Sequence, residues 1–197
     1  TAVFTPLTDW VHTGWSGDVT GASGPMKITV QGPVRLTAEC ARYQVPSGDG
    51  VVWSWGTNYD GQLGIGSRVS KQAPVAVFGL NDVVSVSAAG TRAFAVKADG
   101  TVLGWGDNDD GYLCDGTKTD RYLPVPVPSL AGVRKIASGG GHLLALKSDG
   151  TVLAWGENSN GEIGDGTTLD RAAPAQVPGL SGVVSIAGGA NSSHVAD

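Results

Sequence analysis

A repeat with a period of 50 residues dominates this sequence. The stretches VVWSWGTNYDGQLGIG from Val51, TVLGWGDNDDGYLCDG from Thr101 and TVLAWGENSNGEIGDG from Thr151 follow one pattern, with no insertion between copies. Self-similarity at a fixed period of about 20–50 residues is typical of stacked structural units, none of which buries its apolar face alone. The chain is therefore restricted to a repeat architecture. The number of strands within one unit indicates which type of repeat fold it adopts.

The repeat is carried by aromatic and glycine positions. Each copy has a tryptophan followed by a glycine, and we predict that these residues form the structural core of the repeat: Trp55, Trp105, Trp155, Gly56, Gly106 and Gly156. A further glycine recurs at positions 61, 111 and 161. One tryptophan at the same place in every copy indicates packing between units rather than a binding cluster.

Each unit is predicted to contain about four short strands. Val83 to Ala88 and Ala93 to Val96 are short runs of β-branched or small apolar residues, and Asp99-Gly100 predicts a hairpin into a strand from Thr101 to Trp105. We expect an apolar strand to resume at the Leu or Ile of positions 63, 113 and 163, and the prolines at 74, 124 and 174 to break the chain before the next unit. About four strands per unit with a fixed aromatic predict an all-β fold of β-propeller-type blades, with almost no helix.

The motifs resemble those of the regulator-of-chromosome-condensation repeat family. The shared elements are the DGTV-x-x-WG core, the N-x-x-G-x-[LI]-G turn, the GDGT step at 164–167, the DR-x-x-P-x-x-V-P segment at 170–178 and the GG-x-H step that ends at His142. They extend over residues 33–197, which we take as the repeat domain. The resemblance implies blades that close into a ring of about seven. This chain carries about three units, so we expect an incomplete ring.

Residues 1–32 precede the repeats and carry aromatic side chains of their own. Phe4, Trp10 and Trp15 lie outside the periodic set. Two interpretations stay open: a cap that covers the open face of the first blade, or an arm that docks on a neighbouring chain. Both require burial of Trp10 and Trp15, because soluble chains leave few large apolar patches bare.

Charge and hydropathy exclude two classes of partner. The chain has 18 acidic and 13 basic residues, whereas phosphate-backbone binding needs clustered Lys and Arg, so no nucleic acid partner is predicted. No apolar run approaches the ~18 residues that span a bilayer, so no membrane insertion is predicted. Cys40 and Cys114 lack the paired spacing of metal or redox sites, and we expect free thiols, with one disulfide as the alternative. Because the chain begins at Thr1, we expect that an initiator Met or a longer leader has been removed.

No catalytic, cofactor or metal site is predicted. His142 is the best catalytic candidate among the three histidines, but other copies have Arg or Ser at its position and no partner base or nucleophile is evident. The resemblance implies that this histidine is a structural hydrogen bonder.

The charged turn residues are interpreted as parts of the scaffold. The run Asp107, Asp109 and Asp110 is assigned to a turn rather than a calcium loop, because the sister turns read TNYDG and ENSNG. Asp120-Arg121 and Asp170-Arg171 are expected to form ion pairs between blades.

Two non-enzymatic functions fit these observations. The first is a structural or assembly subunit that self-associates as an oligomer or docks on a larger assembly such as a virion or an extracellular surface; it is favoured because three units are too few to close alone. The alternative is a protein-binding module, for example an enzyme inhibitor or adaptor, that recognises its partner through blade loops. Either way the partner is a protein or an identical subunit, and an extracellular or virion location is expected rather than the cytoplasm.

Overall fold

The computed structural model describes residues 50–197 in full and, before them, the backbone of two strands. The chain divides into two compact units, Thr1–Val45 and Pro46–Asp197. No helix in the described residues is long and apolar enough to cross a bilayer.

The first unit contains an antiparallel strand pair. Strand β1 (Trp10–Gly17) pairs with β2 (Leu36–Arg42), and the register shifts between His12 and Gly14. Phe4 and the side chains of Trp10 and Trp15 lie outside the described residues, so their docking or capping role stays a prediction. The predicted domain boundary at residue 32 also stays a prediction. Strand β2 follows that boundary in the sequence, but it pairs with β1 and belongs to the Thr1–Val45 unit.

The second unit is built of antiparallel strands. In chain order they are β3 Trp53–Gly56, β4 Lys71–Ala76, β5 Val83–Ala89, β6 Arg92–Lys97, β7 Val102–Gly106, β8 Arg121–Pro126, β9 Val133–Ser138, β10 His142–Lys147, β11 Val152–Gly156, β12 Arg171–Gln176, β13 Ser185–Gly188 and β14 Ser193–Ala196. Strands β5 to β8 and β9 to β12 form two four-stranded sheets, while β3–β4 and β13–β14 are two-stranded. From residue 50 onward the only helical element is the 3₁₀ turn Pro128–Leu130. The predicted all-β fold with four-stranded blades in an incomplete ring is confirmed.

The two-stranded sheets are halves of blades. By the 50-residue period, β3 and β4 correspond to the third and fourth strands of a blade, which are β7 and β8 in the first complete one. Strands β13 and β14 correspond to the first and second strands, β9 and β10. We call β3–β4 the N-terminal half-blade and β13–β14 the C-terminal half-blade.

The hairpins follow the local turn chemistry. The amide of Gly100 donates to the carbonyl of Lys97 at 2.9 Å, and the next amide, of Thr101, donates to the Asp99 carboxylate at 2.9 Å. Asp149 bonds the Thr151 amide in the same way. The Asp-Gly pair therefore closes the hairpin between the second and third strands of each complete blade, as predicted.

The fourth strand does not begin where the sequence indicated. Leu63, Leu113 and Ile163 are buried, but they lie in a loop, because each amide donates to an asparagine side chain at 2.9 Å instead of joining a ladder. The fourth strand starts eight residues later and contains the proline that was predicted to break the chain. A proline is tolerated there because this strand is the outer edge of its sheet.

Apolar clusters between successive sheets hold the array together. The largest lies between the two complete blades and includes Phe94, Leu143 and Trp155. A second joins the second blade to the C-terminal half-blade through Leu144 and Ile186, among others, and a third joins the N-terminal half-blade to the first blade. The interfaces between sheets therefore form the core.

The repeat tryptophans occupy equivalent positions with different exposures. Trp105 and Trp155 are 2% and 0% exposed, while Trp55 is 61% exposed. The indole N–H of Trp155 donates to the carbonyl of Tyr112 at 2.8 Å, and its ring meets Phe94 edge-on at 6.2 Å. Each buried tryptophan thus packs on the preceding sheet. In the part of the chain from residue 50 on, no sheet precedes β3.

The glycine after each tryptophan adopts one backbone conformation. Gly56, Gly106 and Gly156 have φ of 106°, 102° and 108°, a region that disfavours residues with a Cβ. A Cβ on Gly106 would lie 2.1 Å from the carbonyl oxygen of Thr91. The glycine therefore lets the chain leave the third strand next to the neighbouring turn.

Candidate functional site

The long loops of all blades emerge at one end of the array. Strands alternate in direction, so the loops 57–70, 107–120 and 157–170 share an end with the turns that join first and second strands. We call this the loop end. The hairpins near Asp99 and Asp149 lie at the opposite end, with the crossovers between sheets.

A buried asparagine organises each loop. Asn58, Asn108 and Asn158 are completely buried. The amide group of Asn108 donates to the carbonyls of Thr117 and Thr119 at 3.0 and 3.3 Å, while its oxygen accepts from Leu113. The other two asparagines make the equivalent bonds. Sequence reasoning treated these positions only as turn formers, although the same residue in every copy was an available signal.

The predicted ion pairs between blades were wrong. Arg121 pairs with Asp115 at 2.6 Å, and Arg171 pairs with Asp165, in both cases within one loop. Asp120 instead accepts from the backbone amide of Asn108 at 2.8 Å, and Asp170 does the same for Asn158. The aspartate before each arginine is thus used to fix the loop.

Hydrogen bonds keep one of these loop carboxylates ionised. The hydroxyl and amide of Thr167 lower the pKa of Asp165 to about 2, with a further contribution from Arg171, against the opposing effect of burial. Asp165 is therefore negatively charged at neutral pH, and the same hydrogen bonds fix the conformation of the loop.

Exposed acidic side chains from two loops meet around Tyr112. Burial raises the pKa of this tyrosine, and the charges of Asp170, Asp110 and Glu157 raise it further. These three acidic residues are exposed, as is Asp109, which precedes Asp110 in the chain, and we call the four residues Asp109, Asp110, Glu157 and Asp170 the acidic loop cluster.

A single arginine faces this cluster from the neighbouring turn. The guanidinium of Arg92 lies 4.9 Å from the centre of the Tyr112 ring. It pairs with Asp107 at 2.7 Å and with Asp110 at 3.6 Å. Arg92 is therefore engaged with the protein itself and offsets only part of the negative charge.

The three long loops carry a strong charge bias. Residues 57–70, 107–120 and 157–170 together contain ten Asp or Glu and two Lys or Arg. The exposed acids at the loop end therefore present a negative surface on loops whose backbone is fixed by buried asparagines.

The carboxylates that lie close together in the structure differ in one member from the acidic run of the sequence, because Asp120 replaces Asp110. Oxygens of Asp107, Asp109 and Asp120 lie within 4.8 Å of one another. Two of these residues are already engaged: Asp107 binds Arg92 and the amide of Asp109, and Asp120 binds the amide of Asn108. These contacts assign the carboxylates to the loop scaffold.

His142 links the second blade to the C-terminal half-blade. Its ring is buried, and Nε2 lies 3.0 Å from the Ser193 hydroxyl, which itself donates to the carbonyl of Glu162 at 2.6 Å. Since a hydroxyl has one proton, Nε2 of the neutral ring donates to Ser193. A Cβ on Gly139 would lie 2.1 Å from the ring, which accounts for the glycine in the GG-x-H step.

We expect His142 to make stability fall with acidification. Burial lowers its pKa below the ordinary value, although Glu162 and Glu157 oppose the shift, so the unfolded chain binds more protons as the pH drops through about 6.5. Urea unfolding at a series of pH values from about 7.5 to about 5.5 should show this loss, and His142→Gln should remove it. The control is the exposed His194→Gln. Equal pH slopes in wild type and His142→Gln would contradict the assignment.

Cys114 is a free thiol with low expected reactivity. Burial, followed by the charge of Asp115, raises its pKa to about 12. We expect a Cys40→Ser variant to react with a disulfide reagent at pH 8 on the order of 100-fold more slowly when folded than when unfolded in urea, since the thiolate is the nucleophile. Comparable rates in the two states would contradict this prediction. The side chain of Cys40 lies outside the described residues.

Comparison with known families assigns the chain to a family. The regulator of chromosome condensation (RCC1) repeat model matches residues 49–96, 99–146 and 149–196, more than half of the chain, and a second model of the same repeat matches residues 133–162. The chain belongs to the RCC1 repeat family. Each matched RCC1 repeat begins before the third strand of one sheet and ends within the second strand of the next. The family repeat and the structural blade are therefore out of phase by two strands.

Solved structures of RCC1-like propellers share this fold. Prp20p from Saccharomyces cerevisiae, described with its binding to Gsp1p and histones, has a TM-score of 0.63 at 19% identity over 81% of this chain and 45% of its own. Yeast RCC1 (Prp20) bound to Kap60 gives 0.59 at 24% identity over 74% and 37%. Human WBSCR16 gives 0.52 at 20% identity over 86% and 63%. The chain thus spans less than two thirds of each of these proteins. No curated protein matches it.

Proposed function

We propose that this RCC1-repeat array is a non-catalytic protein-binding module, and that its loop end recognises a basic surface on a partner protein. The observation that carries the proposal is the acidic loop cluster. Its side chains are exposed and come from two loops whose backbones are fixed by buried asparagines and ion pairs. A preorganised surface of one charge favours association with a surface of the opposite charge.

The relatives support a binding function more than the structural role that the sequence favoured. Prp20p is described as binding Gsp1p and histones, and yeast RCC1 as bound by Kap60. Histones are basic proteins, the class of partner that an acidic surface would select. Nothing in these relatives points to a virion or to an extracellular assembly, and we do not propose that role.

Core histones are the probe for a binding test. We expect wild-type protein to bind them with an affinity that falls as salt rises, because exposed charges are screened. The combined variant Asp109→Asn, Asp110→Asn and Glu157→Gln should weaken binding at least about tenfold and flatten the salt dependence.

The matched control removes the same charge from the opposite end. Asp82→Asn, Asp99→Asn and Asp149→Asn change exposed side chains of the crossover and hairpins. We expect this triple variant to bind within about threefold of wild type. Equal losses in the two triple variants would show that only net charge matters, and failure of wild type to bind histones would refute a basic partner of this class.

A further inference from the structure

A tyrosine at the loop end has a hydroxyl group without a partner. Tyr112 is only 5% exposed, and its backbone carbonyl accepts the indole N–H of Trp155 at 2.8 Å. Its hydroxyl, by contrast, forms no hydrogen bond with any residue that the structure describes. A tyrosine buried to this degree usually satisfies its hydroxyl, because a polar group without a partner is costly away from water. The hydroxyl is therefore available to a ligand.

The scaffold of the loop does not require this hydroxyl. At the same position of the repeat, Gln62 accepts the backbone amide of Asp60 at 3.0 Å, and Glu162 accepts that of Asn160 at 2.8 Å. Both of these side chains turn back onto their own loops and fix the turn. The side chain of Tyr112 makes no such bond to its loop, so its presence at this position calls for another explanation.

Three carboxylates from two loops lie near the hydroxyl. Burial raises the pKa of Tyr112, and the charges of Asp170, Asp110 and Glu157 raise it further, which shows that all three act on the same group. Asp110 belongs to the loop of the tyrosine, and the other two belong to the next loop. The hydroxyl is therefore protonated at neutral pH, and it can accept from a cation while it donates its proton to a carboxylate.

The cations of the protein itself leave these carboxylates largely uncompensated. From residue 50 on, neither Glu157 nor Asp170 forms an ion pair, and the exposed Lys118 forms none either. Arg92 lies over the tyrosine ring, 4.9 Å from its centre, and reaches Asp110 only at 3.6 Å. One cation thus faces three carboxylates and does not bond the hydroxyl. The group therefore attracts a further positive charge.

We propose that these four groups form a binding site for one lysine side chain of the partner protein. The site, which we call the lysine site, consists of the Tyr112 hydroxyl and the carboxylates of Asp110, Glu157 and Asp170. Its carboxylates belong to the acidic loop cluster, so the lysine site rests on the proposed function and adds the kind of residue that is recognised. Both loops emerge from complete four-stranded sheets.

An ammonium group fits these acceptors better than a guanidinium group. The acceptors belong to four side chains on two loops, so they approach a bound cation from several directions. A lysine ammonium has three donors that point in different directions, and the phenol can accept one of them. Arginine presents its donors in a planar fork, which matches a single carboxylate. Because acetylation removes the charge of a lysine, an acetylated partner lysine should not bind.

Fluorescence anisotropy with labelled pentalysine and pentaarginine tests the lysine site at low salt, where exposed charges are little screened. We expect wild type to bind pentalysine about tenfold more tightly than pentaarginine, and fully acetylated pentalysine not at all. Tyr112→Phe removes the acceptor and keeps the ring. It should abolish the preference, with a loss of about tenfold on pentalysine and less than about twofold on pentaarginine. The matched control is Tyr59→Phe, which removes an exposed hydroxyl from the loop 57–70 and should bind both peptides like wild type.

Thermal unfolding of the same variant shows whether the hydroxyl is free in the unbound protein. Tyr112→Phe keeps the ring beside Arg92 and the carbonyl that accepts from Trp155. Its melting temperature should therefore stay within about 2 °C of wild type. A larger fall would mean that the hydroxyl is already bonded within the protein, and it would overturn the lysine site.

Histone binding separates failure of the lysine site from failure of the proposed function. If wild type binds core histones but binds the two peptides equally, or if Tyr112→Phe keeps the preference for pentalysine, the lysine site is wrong and the acidic surface stands. If wild type binds neither histones nor pentalysine, both proposals are wrong.

Discussion

Replacement of Trp155 by alanine is expected to lower the free energy of unfolding by about 3–5 kcal/mol. The side chain is completely buried between the two complete blades, so its removal leaves a cavity at their interface. It also leaves the carbonyl of Tyr112 without the indole N–H that lies 2.8 Å away. Domains of ordinary stability have only about 5–15 kcal/mol in total, so this single change should bring the fold close to its limit.

Urea unfolding of the full chain measures this effect. The control is Tyr59→Ala, because Tyr59 is an aromatic residue of the same array but 69% exposed. Its removal should change the free energy of unfolding by no more than about 0.5 kcal/mol. A loss for Trp155→Ala below about 1 kcal/mol would mean that the two sheets do not depend on each other as their contacts indicate.

Replacement of Asn108 by alanine is expected to cost about 3–5 kcal/mol, although no large apolar group is lost. Its side chain donates to Thr117 and Thr119 and accepts from Leu113, and all of these bonds form at a completely buried position. Alanine leaves those backbone groups without partners, at about 1–3 kcal/mol for each buried group.

Two further variants separate this role from side-chain size. Asn108→Asp keeps the acceptor for Leu113 but cannot donate, so it should be nearly as unstable as alanine. The exposed Asn81→Ala should stay within about 0.5 kcal/mol of wild type. A stable Asn108→Ala protein with an unchanged acidic loop cluster would show that the loop is held by other contacts.

The fold class and the hairpins could be predicted because they depend on local features. The Asp99-Gly100 dipeptide by itself favours a tight hairpin turn, and the apolar run Ala93–Val96 indicates a strand that is covered on both faces. The loop before the fourth strand could not be predicted in this way. Backbone groups of this loop form hydrogen bonds with the side chain of Asn108, which lies five to eleven residues away in the sequence. The alternation of apolar and polar residues that indicates a strand does not reveal such side-chain hydrogen bonds.

The candidate site illustrates the same division. The sequence shows that the long loops are acidic, but Asp110 and Glu157 lie 47 positions apart, and only the stacking of two sheets brings both near Tyr112. The arginines of the Asp-Arg pairs were assigned to the wrong partners for a related reason. The sequence shows that Asp120 adjoins Arg121, whereas the loop conformation directs Arg121 to Asp115.

The sequence by itself determined the repeat, its period and the four strands that each period supplies, because these depend on turn residues and on apolar positions close together in the chain. Only the tertiary structure decided how the strands are grouped into sheets and which tryptophans are buried. Trp55 and Trp155 occupy the same position of the repeat, yet one is 61% exposed and the other 0%. Burial depends on the sheet that packs against a side chain, and the second tryptophan has such a sheet before it while β3, in the described residues from 50 on, has none.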